Sequence, residues 1–203
     1  MSLLVHFLLG FFISFIGTIP PSMLNMTTAK ISIVSSKSDG LKFATGVSLI
    51  VLIQAYIAVF TAQYLHKNTS FERYITLFGI VIFALLSIYF FKQAKTETKK
   101  GPNLEIKNSF KMGVSLSALN MFAIPFYCAI SSSLNMSGWI NFKQSSVALF
   151  VIGAALGTYA LHYLYVESAL KVRQQAHILT KNLNYILSIL TAVVALISLI
   201  KII

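Results

Sequence analysis

A chain of 203 residues that is 57% hydrophobic and 10% charged lacks the polar surface of a water-soluble domain, which carries about 25% charged residues. Its net charge of +11, from 16 Lys and Arg against 5 Asp and Glu, would suggest nucleic acid in a soluble protein. Here the cations fall in short segments between apolar runs, which reads as membrane orientation and argues against a nucleic-acid partner. The single cysteine, Cys128, leaves no disulfide framework and no thiol pair, and reads as a small buried hydrophobe.

Runs of about 17 to 25 apolar residues each suffice for one bilayer crossing. In chain order the spans fall at 3–26, 41–65, 75–91, 110–134, 145–166 and 183–203. Residues 3–19 resemble a signal peptide, but no basic segment precedes them and Ile19-Pro20-Pro21 stands in place of a small-residue cleavage site, so a retained span is expected. Segment 27–40 reads as a loop. Segment 92–109, rich in Lys, Thr and Glu with Gly101-Pro102, reads as a flexible linker between 1–91 and 110–203. Twelve cations (Lys30, Lys37, Lys42, Lys92, Lys95, Lys99, Lys100, Lys107, Lys111, Lys171, Arg173 and Lys181) share one side of this arrangement. Lys67, Arg73, Lys143 and Lys201 take the other. The positive-inside bias then places the linker in the cytoplasm and both termini outside, in a multi-pass protein of the cytoplasmic (inner) membrane. Tyr64, Phe71, Tyr74, Trp139 and Phe142 read as an outer headgroup belt.

The two halves echo each other. Phe7, Gly10 and Ser14 recur as Phe110, Gly113 and Ser117 at an offset of 103. In the second spans Phe43, Gly46, Leu49 and Tyr56 recur as Phe150, Gly153, Leu156 and Tyr163 at 107, and in the third spans Tyr74, Ile75, Leu85 and Ser87 recur as Tyr185, Ile186, Leu196 and Ser198 at 111. Each half has an odd number of spans, so the halves must cross the membrane in opposite senses. The expected fold is an all-α membrane protein of six transmembrane helices in two inverted three-helix repeats, a design that places a substrate near mid-membrane at the repeat interface.

Proline marks where that site would lie. Pro20-Pro21 removes two backbone donors inside the first span, and freed carbonyls in lipid must be met by side chains, protein or water. Thr18, Ser22, Asn25, Thr27 and Thr28 surround it. Pro125 in the fourth span is flanked by Asn120, Tyr127 and Ser131-Ser132-Ser133. Two readings follow: broken helices whose ends meet at a substrate, or simple kinks that the neighbouring polar groups repair.

At these residues the chain resembles the LysE/RhtB superfamily of amino-acid exporters. The likeness lies in Phe7-x-x-Gly10 followed by Ile19-Pro20-Pro21, in Gly40 and Gly46 at the second span, and in Phe110, Gly113 and Asn120 of the fourth-helix signature. It covers nearly the whole chain. The prolines are adjacent where the family has Pro-Gly-Pro, Met121 replaces the signature proline, and 47–55 offers Ser48 and Gln54 where the family often has aspartate. The resemblance implies a secondary transporter exporting amino acids or similar small metabolites by alternating access, with no enzymatic activity and no cofactor. Specificity for basic amino acids is not carried over with it.

All five acids (Asp39, Glu72, Glu97, Glu105 and Glu167) lie in loops or at span ends, so no mid-membrane carboxylate is expected. Glu167 reads as an interfacial charge with proton coupling as the alternative. His162 is the better proton-handling candidate, because a buried ionisable group in a membrane is expensive. Gln54 lies at similar depth by the offset of 107. For both, the plain alternative is a hydrogen bond to a neighbouring helix. The candidate substrate set is thus Thr18, Pro20, Pro21, Ser22, Asn25, Gln54, Asn120, Pro125, Tyr127 and Ser131, with His162 for the proton. His6, His66 and His177 read as interfacial, no metal-ligand spacing is present, and Lys30 suits snorkelling to the headgroups or attraction of a substrate carboxylate. Gly153-x-x-x-Gly157 permits a close helix contact, within the chain or in a homodimer. A scaffold without transport would not need polar residues at matching breaks. Behind that scaffold alternative stands a membrane-embedded enzyme, for which Ser131–Ser133 and His162 leave a serine hydrolase open though no nucleophile motif supports it.

Overall fold

The structure is a computed structural model that describes residues 2–19, 22–67, 108–120 and 122–171, with positions 81, 84–85, 87–88, 91–92, 185, 188–189, 192–193 and 196. Pro20, Pro21, Met121, most of the linker at 92–109, and most of the expected spans 75–91 and 183–203 lie outside the described residues. The elements are α1 (Leu3–Gly17), α2 (Met23–Val34), α3 (Lys37–Lys67), α4 (Ser109–Ala118), α5 (Ala123–Met136) and α6 (Gln144–Glu167), with no strand among the described residues.

Two of these helices, Lys37–His66 within α3 and Gln144–Glu167, are long and apolar enough to cross a membrane. The pair α4 and α5, bent by 63°, makes a third if counted as one span. With 15 residues, α1 extends about 22 Å, less than the hydrocarbon thickness of about 30 Å. Outward faces are apolar: Leu49, Ile53, Tyr56, Phe60 and Tyr64 on α3, and Ile152, Leu156 and Tyr163 on α6, are all exposed large side chains. Stripes of that length suit lipid and would be costly in water.

The chain divides into two compact units. One comprises Met1–Tyr64 and Glu105–Gln174, the other Leu65–Leu104 and Gln175–Ile203. Within the second, Ser87 and Ser188 exchange hydrogen bonds, each hydroxyl donating to the other's carbonyl at 2.9 and 3.0 Å. The ring of Phe91 meets Tyr185 edge-on at 6.1 Å.

The first unit is held by helices that touch backbone to backbone. On α1 the buried residues are His6, Gly10 and Ser14. On α4 they are Ser109, Gly113 and Ser117, each at the offset of 103. A Cβ added at Gly10 would overlap the carbonyl oxygen of Phe150, and one at Gly153 would overlap that of Phe7. Likewise a Cβ at Gly113 would overlap the carbonyl of Phe43, and one at Gly46 that of Phe110. These two sets of four residues correspond one to one at the offsets of 103 and 107. Small residues permit such approach where dispersion, not water exclusion, must join the helices. Gly157 also faces the backbone of Phe11, so the Gly153–Gly157 face is covered by α1.

One further contact joins corresponding positions. Ser48 Oγ on α3 donates to the carbonyl of Ala155 on α6 at 2.6 Å, and these residues are 107 apart. The packed core around them includes Phe43, Val47, Val51, Ala55, Phe150 and Ala154.

Two local expectations change. Segment 27–40 is almost wholly helical, with α2 reaching Val34 and α3 starting at Lys37. The hydroxyl of Ser36 accepts from the Asp39 N–H at 3.0 Å, while the hydroxyls of Ser35 and Ser36 donate to the Asp39 carboxylate at 2.6 and 2.9 Å. This capping needs only two residues between the helices. His6, expected at the interface, is fully buried. Its Nε2 accepts the backbone N–H of Asn141 at 3.1 Å, which leaves the ring proton on Nδ1, 3.1 Å from the Ser2 carbonyl. His66 is exposed, and His177 lies outside the described residues.

The glycine contacts give a graded test. Gly10→Ala and Gly113→Ala push a methyl into backbone and should each cost about 1–3 kcal/mol. Gly17→Ala meets only the tip of the Phe126 ring, which can swing aside, so its thermal unfolding midpoint in detergent should fall least.

Candidate functional site at the helix breaks

Both irregular spans are broken where their polar residues cluster. In the first, α1 ends at Gly17 and α2 starts at Met23. Helix ends expose unpaired carbonyls and N–H groups, and several have side-chain partners here. The Asn25 amide donates to the Thr18 carbonyl at 2.7 Å, and Tyr165 on α6 donates to the Ile19 carbonyl at 2.8 Å. Thr18 turns its own hydroxyl back to the Ser14 carbonyl at 2.7 Å. Ser22 caps α2, accepting from the Asn25 N–H at 3.3 Å.

The second break lies between Ala118 and Ala123, ahead of Pro125. Pro125 is the third residue of α5, where its missing N–H has no intrahelical partner to lose. The helix therefore ends before the proline instead of being broken by it. Gln54 on α3 spans this break, donating from Nε2 to the carbonyls of Ser117 at 3.0 Å and Asn120 at 3.3 Å. The Asn120 side chain accepts the Phe122 N–H at 3.3 Å. A side chain from the long helix of the opposite half thus closes each break: Tyr165 the first and Gln54 the second.

A second polar cluster joins the helices. Ser14 Oγ lies 2.7 Å from both the Tyr127 hydroxyl on α5 and the Thr158 hydroxyl on α6. His162 Nδ1 is 2.7 Å from the Thr28 hydroxyl, which also lies 2.9 Å from the Leu24 carbonyl. Tyr127, Ser14, Thr158, Thr28 and His162 are all at most 2% exposed. Four residues beyond Thr28 and His162, Ser32 and Val166 enter a cleft of about 440 Å³ that Lys37, Glu167 and Lys171 also line. Glu167 pairs with Lys37 at 2.6 Å, with both side chains well exposed.

The expected site residues therefore separate. Thr18, Ser22 and Asn25 belong to the first break; Gln54, Asn120 and Pro125 to the second; Tyr127 and His162 to the buried clusters. Ser131 is fully buried and bonds back to the Cys128 carbonyl at 3.2 Å in its own helix. His162 meets Thr28 of α2, and Gln54 meets the carbonyls of Ser117 and Asn120 at the second break. Ser14, Thr158 and Tyr165 are additional members. Thr158, His162 and Tyr165 follow the 4-then-3 spacing of one helix face, a polar stripe legible in the apolar run of 145–166.

The Ser14–Tyr127 contact is measurable by a double-mutant cycle. Ser14→Ala and Tyr127→Phe should show a coupling energy of about 0.6–1.7 kcal/mol, the range for hydrogen bonds between membrane helices. Thr18→Val, which keeps Ser14 intact, should show no coupling to Tyr127→Phe.

Comparison with curated proteins and with solved structures returned no match. The family model for LysE type translocators matches residues 15–201, a stretch that takes in both breaks, the Gln54 and Tyr165 closures and, apart from Ser14, the buried clusters. Helices that expose apolar stripes and bury their polar groups, covered by this match over most of their length, place the chain in the LysE type translocator family of membrane transporters.

Proposed function

We propose that this chain is a secondary transporter that moves amino acids or similar small metabolites out across the cytoplasmic membrane by alternating access, with 1–91 and 110–203 as inverted three-helix halves. The reading rests on one observation above others: Ser48 bonds to Ala155, its own counterpart at the offset of 107. Two equivalent positions meet only near a two-fold axis, and the paired glycine contacts on either side obey the same relation. Rocking of one half against the other about such an axis exposes a central site to each side in turn.

The breaks supply the chemistry. Half-helix ends present partial charges, positive at an N-terminus and negative at a C-terminus, that suit the carboxylate and ammonium of an amino acid. Asn25 and Asn120 hold one break each, and His162, paired with Thr28, is placed to take a coupling proton. Lys37, Glu167 and Lys171 line the cleft on the cytoplasmic side in this orientation, with both termini outside.

Purified protein in liposomes, with a panel of labelled amino acids and an imposed pH gradient, tests this. Flux of at least one amino acid is expected, about tenfold lower in Asn25→Ala and Asn120→Ala if each removes ~1.4 kcal/mol of transition-state stabilisation. His162→Gln should abolish the response to the gradient. No flux for any amino acid would overturn the reading. For orientation, a cysteine at 171 in a Cys128→Ala background should react only from the cytoplasm and one at 139 only from outside.

A further inference from the structure

Gln54 does more than close the second break. Its residue is 6% exposed, and its Nε2 donates to two carbonyls, those of Ser117 and Asn120. Both partners are acceptors only, so turning the amide over would set oxygen against oxygen; the assignment of nitrogen and oxygen is fixed by the partners. Oε1 is then fully buried and meets no donor, alone in this among the buried side-chain nitrogens and oxygens of the described residues. An unpaired buried acceptor costs about 1–3 kcal/mol. The chain accepts that cost beside the C-terminal end of α4, where carbonyls and the negative pole of the helix gather.

We propose that Gln54 Oε1 is the acceptor for the protonated primary amine of the transported molecule. The inference rests on the transport reading above and assigns one contact within it, between Gln54 Oε1 and the –NH3+ group of the transported molecule. An ammonium matches on two counts. It brings N–H donors, which the oxygen lacks, and positive charge, which the end of α4 favours. Gln54 and the end of α4 meet both without a carboxylate, so the protein before substrate binds has no buried charge here to stabilise. Among the described residues the first break shows no such unpaired buried side-chain oxygen, and its carbonyls at Thr18 and Ile19 already have donors.

The test needs no knowledge of the natural substrate. Thermal unfolding of the full chain in detergent is followed while n-butylammonium chloride, tetramethylammonium chloride or sodium chloride is added at equal ionic strength. n-Butylammonium should raise the unfolding midpoint in a saturable way, and tetramethylammonium, of equal charge but with no N–H, should not. In Gln54→Met the apparent dissociation constant for n-butylammonium should rise at least tenfold. The comparison of cations in the unaltered protein stands even if this variant does not fold. Equal responses to butylammonium and tetramethylammonium, or no response to either, would overturn the proposal. So would a saturable response to sodium alone, which would assign the oxygen to a metal ion. Failure of the amino-acid flux with a selective butylammonium response would remove the transport reading and leave the amine subsite.

Discussion

A carbonyl freed inside a membrane span has no water to turn to, and the rest of this structure is arranged around that constraint. Helix ends at Gly17 and resumes at Met23, and again ends at Ala118 and resumes at Ala123, and carbonyls beside each break must find donors inside the protein. They find them on the long helices α3 and α6, in Gln54 and Tyr165. For those side chains to reach, the interrupted helices must lie against the long ones at close range, and glycine at 10, 46, 113 and 153 allows it. Backbone satisfaction and helix packing are therefore one requirement, met by the same pairs of elements.

The arrangement is asymmetric in a useful way. At the first break an asparagine and a tyrosine divide the work, one donating to the Thr18 carbonyl and the other to that of Ile19. At the second, one glutamine does both jobs and has an oxygen left over. Matching frameworks with unlike chemistry would let a substrate distinguish its two ends. A carboxylate and an ammonium would then be received by different halves.

Much of the frame is legible in the sequence. The apolar runs at 41–65 and 145–166 are the two longest helices among the described residues, extended by a few residues into polar flanks. The offsets of 103 and 107 pick out the glycines that meet backbone. Proline proved a weaker guide: Pro125 sits in the first turn of α5 because a proline is tolerated there, and the break precedes it. Hydropathy also hides capping, so Ser36 and Asp39 close what reads as a loop into two abutting helices. For His6, Gln54 and His162 the sequence shows polarity and depth but no partner. The partners lie across the fold, from His6 to Asn141 and from Thr28 to His162, and only packing brings them together.

The bond between Ser48 and Ala155 has an evolutionary consequence. In an ancestor of half the length that paired with an inverted copy of itself, these would have been one residue meeting its twin. Fusion of two such copies into one gene frees the two positions to differ, and here one carries a serine whose hydroxyl donates while the other is an alanine that offers only its carbonyl.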